Sequence, residues 1–399
     1  MIKKSIVLAG LIAQLALPTL NAQPGTFPVV VVFEDGVRFQ DFGPRFAADG
    51  RAAADPDAWG YLNRGVAGAV QYLEQRGGFR AVHVFSHSIR GFSALLTSRQ
   101  IQQLESDTLV KYVEPDGVAS IVAQTLPWGI DRIDADISST RAGNGAGAIT
   151  NVNVYVIDTG IDAGHADLNV VRHVNFASGP NRDCNGHGTH VAGTVAARDN
   201  TREVVGVAPG APLTGVKVLG CGGMGSYSNV IKGIDWVTAN AQRPAIANMS
   251  LGGGVSKAVD DAVKASADSG VFYSIAAGNS GADACTSSPA RAGTHNGVMT
   301  VAATGQNDQE ASWSNFGSCV DIWAPGVGIL STRNGGGTTT LSGTSMAAPH
   351  VGGTGALHLS SNTGKTAAQV EAQLKLNAVS TGTNSKDGGA IKLVYAGGY

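Results

Sequence analysis

Apolar positions recur along the chain in two different arrangements, which change near residue 125. Before that point, "FPVVVVFE" predicts a strand, and Val66, Val70 and Leu73 recur at helical spacing. The stretch "RAVHVFSHSIRGFSALL" alternates like a hairpin, "SRQIQQLESD" predicts a short helix, and "LVKYVEPD" predicts a final strand. The order βαββαβ is typical of a small ferredoxin-like α+β domain. A linker of small residues, "PDGVASIVAQT", follows it.

From residue 125 to residue 399, apolar strands alternate with amphipathic helices. The predicted strands are "VNVYVID", "LTGVKVL", "AIANMS" and "VFYSIAA". In "YSNVIKGIDWVTANAQ" the apolar positions that recur at helical spacing are Val230, Ile231, Ile234 and Val237. A second helix, "SKAVDDAVKASADSG", is expected to end with Gly270 as its C-cap. This alternation predicts a three-layer αβα domain with a mainly parallel sheet, whose ligands bind at the carboxyl ends of the strands.

Charge and the N-terminus restrict the kinds of partner. The net charge of -2 provides no basic surface for nucleic acid and no polybasic patch for membranes. The cationic "MIKK", the apolar "SIVLAGLIAQLALPTL" and small Ala22 predict a signal peptide over residues 1–22. A membrane anchor is the alternative, but the apolar run is short and contains Pro18. We therefore expect a secreted, extracellular protein that leaves the membrane once the signal peptide is removed. We also expect it to be a monomer.

Four cysteines fit an oxidising compartment. None of them forms a CxxC pair, so a zinc ribbon is not expected. Four cysteines allow three disulfide pairings, and their spacing alone does not choose among them.

Three motifs occur where strand ends and helix starts should meet. "VIDTGI" ends a buried strand in Asp158, "NGHGTHVAGT" begins a helix near His187, and "GTSMAAPH" begins another near Ser345. Taken singly, each residue fits a cap, a turn or a structural role. Together they supply an orienting carboxylate, a base and a nucleophile in the chain order of subtilisin, whereas the GxSxG elbow is absent because residue 347 is Ala.

The chain resembles secreted subtilisin-like serine proteases of the proteinase K and aqualysin type. The resemblance rests on "VIDTGID", "GHGTHVAGT" and "GTSMAAPHV", with "SLGGG" and "AAGNSG" between them, and it covers residues 125–399. Residues 23–124 resemble the inhibitory propeptide of that family. The resemblance implies a secreted serine endopeptidase made as a self-processing precursor, in which the propeptide assists folding and inhibits the enzyme.

The chemistry of peptide hydrolysis explains each residue type. Ser345 is a weak nucleophile until His187 removes its proton, and Asp158 would hold the imidazole and stabilise the imidazolium. The resemblance implies that the Asn279 side-chain amide and the Ser345 backbone N–H form the oxyanion hole. The alternative for Asn279 is a turn residue in "GNSG". His190, one helical turn after His187, is interpreted as structural, and Pro349 is expected early in its helix, where a missing donor costs little.

The resemblance also implies how a substrate binds. Two segments would flank an extended peptide by β-augmentation, and a third would form the wall of the P1 pocket. The flanking residues are Gly225, Ser226, Tyr227, Ser250, Leu251, Gly252 and Gly253. The wall residues are Ala276, Ala277 and Gly278. Their small size predicts broad specificity with a preference for an apolar or aromatic P1 side chain.

Relatives of the aqualysin type imply two disulfides, Cys184–Cys221 and Cys285–Cys319. The resemblance also implies structural calcium at Asp131 and Asp134, although Ala135 stands where such relatives often carry a polar ligand. Asp321 matches a calcium-binding aspartate, whose partner carbonyls would come from near Asn296 and Val298. Solvated or capping carboxylates are the alternative for all three aspartates, and no catalytic cofactor is expected.

Two other functions remain open from the sequence. One is an inactive binding protein with the same fold, and the other is a secreted esterase that uses the same triad. Self-processing would cut the linker after Ala119 or Ala123, and the mature chain would begin between Gly117 and Thr125.

Overall fold

The structure is a computed structural model that describes residues 25–42, 61–117 and 124–399. The chain forms two compact units, and the boundary between them lies between Ser120 and Ile121. The predicted signal peptide and the candidate cleavage residues Ala119 and Ala123 lie outside the described residues. In the part of the chain that is described, no helix is both long and apolar enough to cross a bilayer.

The N-terminal unit has the predicted βαββαβ order. Its elements are β1 (Thr26–Phe33), α1 (Tyr61–Gly77), β2 (Ala81–Phe85), β3 (Gly91–Thr97), α2 (Ser98–Glu105) and β4 (Val110–Pro115). The strands form an antiparallel sheet in the order β2-β3-β1-β4, which is the ferredoxin-like arrangement. Val31, Phe92 and Leu96 are fully buried in its core.

The larger unit alternates strands and helices. Its strands are β5 (Asn153–Asp158), β6 (Val170–Asn175), β7 (Leu213–Lys217), β8 (Ala245–Met249), β9 (Val271–Ala276), β10 (Val298–Thr304), β11 (Ile322–Pro325), β12 (Ile329–Thr332), β13 (Thr338–Leu341), β14 (Val379–Asn384) and β15 (Ala390–Leu393). Its helices are α3 (Trp128–Arg132), α4 (His187–Ala196), α5 (Tyr227–Asn240), α6 (Lys257–Asp268), α7 (Thr344–Ser361) and α8 (Ala367–Asn377).

Nine of these strands form one sheet in the order β14-β15-β11-β10-β9-β8-β5-β7-β6. Its pairs are parallel except for the antiparallel pair β14–β15 at one edge. The remaining two strands, β12 and β13, form a separate hairpin. The mainly parallel sheet predicted from the βα alternation is therefore confirmed.

Both faces of the sheet are buried, because successive side chains of a strand point to opposite faces. In β5, Val154 and Val156 belong to the core that includes α4, α7 and α8. Tyr155 and Ile157 belong to the core that includes α5 and α6. This division produces the predicted three-layer αβα arrangement. Because the strands except β14 are parallel, their carboxyl ends lie together at one end of the sheet.

Two expectations about helix ends need correction. The C-cap of α6 is Ser269, and Gly270 follows it with φ +100°, a conformation that glycine adopts without strain. Pro349 is the sixth residue of α7 rather than a first-turn residue. Pro349 has no N–H to donate to the carbonyl of Ser345, and the Ser250 hydroxyl donates to that carbonyl instead.

Candidate active site

The side chains of Asp158 and His187 meet at the carboxyl end of β5. Asp158 is the last residue of β5, and His187 is the first residue of α4. Nδ1 of His187 lies 2.8 Å from Oδ1 and 3.0 Å from Oδ2 of Asp158. The negative charge of Asp158 raises the pKa of His187 above its ordinary value, against the opposing effect of burial. The arrangement gives the ring a tautomer with the proton on Nδ1, so that Nε2 is the basic nitrogen.

Ser345 is the second residue of α7, and neither it nor Thr344 is the N-cap of the helix, which is Gly343. The Ser345 hydroxyl donates to the carbonyl of Ser250 at 3.2 Å. Among the described residues, the structure has no hydrogen bond between this hydroxyl and His187. Catalytic hydrogen bonds of this kind are often long in ligand-free structures and shorten when substrate binds.

Pro349 explains how the backbone at Ser345 is held. Because proline has no N–H, the carbonyl of Ser345, four residues before it, lacks its helical donor. The Ser250 hydroxyl donates to that carbonyl at 2.7 Å and accepts from Nδ2 of Asn248 at 2.9 Å. Because Pro349 leaves the carbonyl of Ser345 free, Ser250, which directly follows β8, can bond to it and hold the Ser345 backbone in place.

Asn279 lies opposite the start of α7. Its Oδ1 accepts from the backbone N–H of Thr344 at 2.8 Å and from the Thr344 hydroxyl at 2.9 Å. These two donors orient the amide, because only the oxygen can accept them. The NH₂ group of Asn279 is thereby free to act as a donor beside Ser345.

The two segments expected to flank a substrate contact each other, and all their residues except Ser250 and Leu251 are exposed. Ser226 is the N-cap of α5, and the hydroxyl of Tyr227 donates to the carbonyl of Gly254 at 2.6 Å. A Cβ on Gly253 would lie 2.4 Å from that hydroxyl oxygen, and one on Gly225 would lie 2.3 Å from the carbonyl oxygen of Val218. At position 225 the obstacle is backbone and only glycine fits, whereas a larger residue at position 253 requires the Tyr227 side chain to shift.

The remaining residues of these segments also lie at the site. Gly252 is exposed, and Leu251 is half-buried against the core under α5 and α6. Ala276 ends β9, and Ala277 is fully buried. Gly278 has φ +106° and donates its N–H to the Thr344 hydroxyl at 3.0 Å. The structure therefore brings the proposed P1 wall to the start of α7.

Both disulfides join the cysteines that the resemblance implied. Cys184 is bonded to Cys221, and Cys285 is bonded to Cys319. The first bond links the segment before His187 to the segment before Gly225. No cysteine of the described residues is free.

The carboxylate of Asp321 is paired with a lysine. Its Oδ1 lies 2.5 Å from Nζ of Lys375, and its Oδ2 accepts from the backbone N–H of Thr300 at 2.7 Å. The same ammonium lies 2.6 Å from the carboxylate of Glu371. Because Lys375 supplies the cation here, the residues around Asp321 do not fit a calcium ion, and the expectation for this residue is corrected.

Asp131 and Asp134 are different, because neither carboxylate makes a hydrogen bond or ion pair in the described structure. Asp134 has φ 61°, and its pKa is raised by burial and by the negative charges of Asp136 and Asp131. The positive charge of Arg132 opposes this shift, but its guanidinium is bonded to Asp308, so the oxygens of the two aspartates stay available as ligands of the kind that calcium takes. Nevertheless, the described residues contain no group of three His, Cys, Asp or Glu side chains able to hold a metal ion.

Several residues that shape the site were not found from the sequence. Thr344 orients Asn279, Asn248 supports Ser250, and Asp183 lies beneath the segment that carries His187. Asp183 stands four residues before His187, and a short acidic side chain just ahead of a predicted helix is the sequence signal for a residue that holds the start of α4. Ser250 was expected at the site, but its bond to Ser345 depends on a contact between distant segments.

The chain is similar to known protein families and to curated proteins. The pattern of the subtilase family matches residues 150–394, and that of peptidase inhibitor I9 matches residues 29–121. An alkaline serine exoprotease A of Vibrio alginolyticus is 46% identical over 329 residues, which are 78% of this chain and 60% of the relative. An extracellular serine proteinase of Thermus sp. is 42% identical and covers 71% of this chain and 69% of that protein.

A solved structure, of a cold adapted subtilisin-like serine proteinase, is 44% identical with a TM-score of 0.61. The match covers 67% of this chain and 97% of that one. The chain therefore belongs to the subtilase family of subtilisin-like serine proteases and carries a peptidase inhibitor I9 segment ahead of its subtilase domain.

Proposed function

We propose that the chain is a secreted serine endopeptidase that hydrolyses peptide bonds through Asp158, His187 and Ser345. The observation that carries this proposal is the pairing of His187 Nδ1 with Asp158 at 2.8 Å, on a sheet edge that also holds Ser345. The exposed glycine-rich segments on either side of the site support a peptide as substrate, because they leave room for an extended backbone.

In the proposed reaction, Ser345 Oγ attacks the scissile carbonyl carbon while His187 Nε2 takes the hydroxyl proton. The carbonyl oxygen becomes an oxyanion that accepts hydrogen bonds from the Asn279 side chain and the Ser345 N–H. The imidazolium then donates its proton to the leaving amine, which leaves an acyl-enzyme on Ser345. Water hydrolyses this ester by the same steps, and Asp158 stays ionised throughout.

We infer a preference for apolar or aromatic P1 residues. Ala276, Ala277 and Gly278 are small, lead to the start of α7 and supply no carboxylate to bind a Lys or Arg side chain. Tyr227 joins the two flanking segments through Gly254, which supports a groove of defined width for the rest of the peptide.

We propose further that the monomeric enzyme is made as a precursor and that residues 23–124 are its own inhibitor. The match of residues 29–121 to peptidase inhibitor I9 supports this assignment. Gln124 and Thr125 are themselves part of the larger unit and are bonded within it. Nε2 of Gln124 donates to the carbonyl of Arg198 at 2.7 Å, and the Thr125 N–H donates to the carbonyl of Glu203 at 2.7 Å. A cut after Ala119 or Ala123 leaves Gln124 and Thr125, with these contacts, in the mature chain, whose peptidase domain we assign to residues 125–399.

Calcium is proposed at Asp131 and Asp134 only, with oxygen ligands completed by backbone carbonyls or water. Its role would be structural, because the proposed reaction uses no metal.

A serine-reactive fluorophosphonate tests the proposed function. The mature wild-type protein should be labelled, and Ser345→Ala should not be. Casein should be cleaved much faster than a short-chain ester at matched enzyme concentration. Absence of labelling would favour a binding protein with the subtilase fold, and labelling with ester hydrolysis alone would favour an esterase.

A further inference from the structure

A second buried carboxylate lies beneath the Asp158–His187 pair. Asp183 is 3% exposed and precedes α4 by four residues. Its Oδ1 accepts from the Thr159 hydroxyl at 3.0 Å and from the backbone N–H groups of Asn185 and Gly186, both at 2.9 Å. Its Oδ2 accepts from the N–H of Thr189 at 3.0 Å and from the Thr189 hydroxyl at 2.6 Å.

The direction of these bonds identifies the group as an ionised carboxylate. The Thr159 hydroxyl accepts from the N–H of Gly188 at 2.9 Å, and the Thr189 hydroxyl accepts from the N–H of Asp162 at 3.0 Å. Each hydroxyl therefore directs its own hydrogen toward Asp183. With five donors and no acceptor facing it, Asp183 has nothing to which a carboxyl proton could be donated.

These contacts surround His187 in the sequence and in space. Asn185, Gly186 and Thr189 flank it at the start of α4, and Gly188 follows it directly. Thr159 follows Asp158 and donates its N–H to Oδ1 of that residue at 2.7 Å. One carboxylate thus joins the segment after Asp158 to the segment that carries the imidazole.

We propose that Asp183 is a positioning residue of the active site: it fixes the start of α4, and with it His187, against Asp158, and its charge stabilises the imidazolium that forms during the reaction. This inference rests on the proposed function. It adds to the proposed triad a residue that never touches the substrate and that acts through His187.

The other titratable groups around His187 carry no negative charge that could stabilise its imidazolium. Lys217, at the end of β7, is fully buried and donates to the carbonyls of Thr159 and Leu219 at 2.7 and 2.8 Å. Burial lowers its pKa, and its positive charge opposes that of the imidazolium. His190, on the next turn of α4, has a pKa lowered by burial to about 4 and is neutral near pH 7.

On the remaining elements, burial also lowers the pKa of His173 in β6. Arg333, in the turn between β12 and β13, is exposed and donates to the carbonyl of Gly336. Asp158 and Asp183 are therefore the negative charges that favour the imidazolium, and both raise the pKa of His187.

The test is Asp183→Asn in the full-length chain, which keeps the size of the residue and removes its charge. We expect kcat to fall by roughly 10- to 100-fold through misplacement of His187. We also expect the acid limb of the kcat/KM profile to move to lower pH by roughly half a unit or more, because one negative charge near the imidazole is lost. An acid limb at the wild-type pH would overturn the charge role, since a merely structural loss does not move it.

Asp167→Asn is the matched control. Asp167 is also a fully buried carboxylate, and it accepts from Asn200 Nδ2 at 2.6 Å and from the N–H of Val204 at 3.3 Å. This variant should leave the acid limb in place. If it moved the limb as much as Asp183→Asn does, the special role of Asp183 would be refuted.

Thr159→Val keeps the inference testable if Asp183→Asn fails to fold. It removes the hydroxyl between Asp183 and Gly188 and leaves the charge, so kcat should fall while the acid limb stays. Wild-type kcat in this variant would overturn the positioning role. An NMR titration of His187 in the Ser345→Ala background, with and without Asp183→Asn, measures the same pKa difference without turnover, so a failure of the proposed peptidase function is recognised separately.

Discussion

Asn279 and Thr344 are joined by two hydrogen bonds that decide which end of the Asn279 amide faces the site. Oδ1 accepts both the N–H and the hydroxyl of Thr344, at 2.8 and 2.9 Å. The NH₂ group is therefore the end available to an oxyanion on a carbonyl attacked by Ser345. Such an orientation is preorganised, because no side chain has to turn as charge develops.

We expect Asn279→Ala to fold normally and to turn over about 10²- to 10³-fold more slowly, a magnitude known from a subtilisin, a member of the same family. The loss should fall on kcat more than on KM, because the donor acts on charge that develops in the transition state. Steady-state kinetics on a chromogenic peptide would measure it. Asn240→Ala, at the exposed end of α5, is the control, and a kcat for Asn279→Ala equal to that of this control would remove Asn279 from the site.

Folding stability should fall as the pH drops from about 6.5 to about 4. Burial lowers the pKa of both His190 and His350 to about 4 from an ordinary value of 6.5. Each is neutral in the folded protein and gains a proton on unfolding in this window, so the stability that is present above pH 6.5 is lost as the pH falls. The loss is on the order of 3 kcal/mol for each histidine.

Melting curves of the inhibitor-inactivated enzyme at pH 7 and pH 4.5 would measure this dependence. His190→Gln should reduce the difference in Tm between the two pH values, because the amide can donate to the carbonyls of Ile329 and Thr339 but does not titrate. His295→Gln, which alters a histidine paired with exposed Asp268, is the control. An equal pH dependence in all three proteins would contradict the assignment.

The two disulfides should stabilise the folded protein. The bonded cysteines are 37 and 34 residues apart, and loops of this length correspond to about 4 kcal/mol each on the chain-entropy model. A Cys285→Ser, Cys319→Ser double variant should therefore melt at a lower temperature than wild type. Non-reducing peptide mapping should find Cys184 joined to Cys221, and a peptide that joins Cys184 to Cys285 would contradict the pairing.

Calcium removal should act through Asp134 and not through Asp321. Excess EDTA is expected to lower the Tm of the wild-type protein by removing a cation from the unpaired carboxylates of Asp131 and Asp134. Asp134→Asn should be insensitive to EDTA, whereas Lys375→Met should be destabilised because Asp321 and Glu371 lose their cation. An unchanged wild-type melting curve in EDTA would exclude calcium from Asp131 and Asp134.

Removal of the N-terminal unit should depend on Ser345 itself. Ser345→Ala, made alone in a protease-deficient host, should accumulate as a precursor that lacks only the signal peptide. Wild type in the same host should release a mature chain that begins between Gly117 and Thr125, as measured by N-terminal sequencing. If the Ser345→Ala protein were trimmed there equally fast, the cut would belong to another protease.

The order of elements and the candidate triad could be predicted from the sequence because both depend on local patterns. The alternation of strands and helices specifies a parallel sheet whose strand ends share one edge, and Asp158, His187 and Ser345 each follow or begin such an element. Small residues at 276–278 and the glycines of the flanking segments likewise indicate close backbone approach, because a residue with little or no side chain leaves the main chain accessible.

Only the tertiary structure decided how distant segments satisfy one another's polar groups. Lys375 reaches Asp321 from α8 and takes the position expected for calcium, which no pattern around Asp321 indicates. Pro349 lies deeper in its helix than expected, since Ser250 supplies the donor that the proline withholds from Ser345. The carboxylate of Asp183 accepts five hydrogen bonds from two separate segments of the chain. Hydrogen bonds of this kind depend on three-dimensional proximity, whereas the hydrophobic pattern depends on neighbours along the chain.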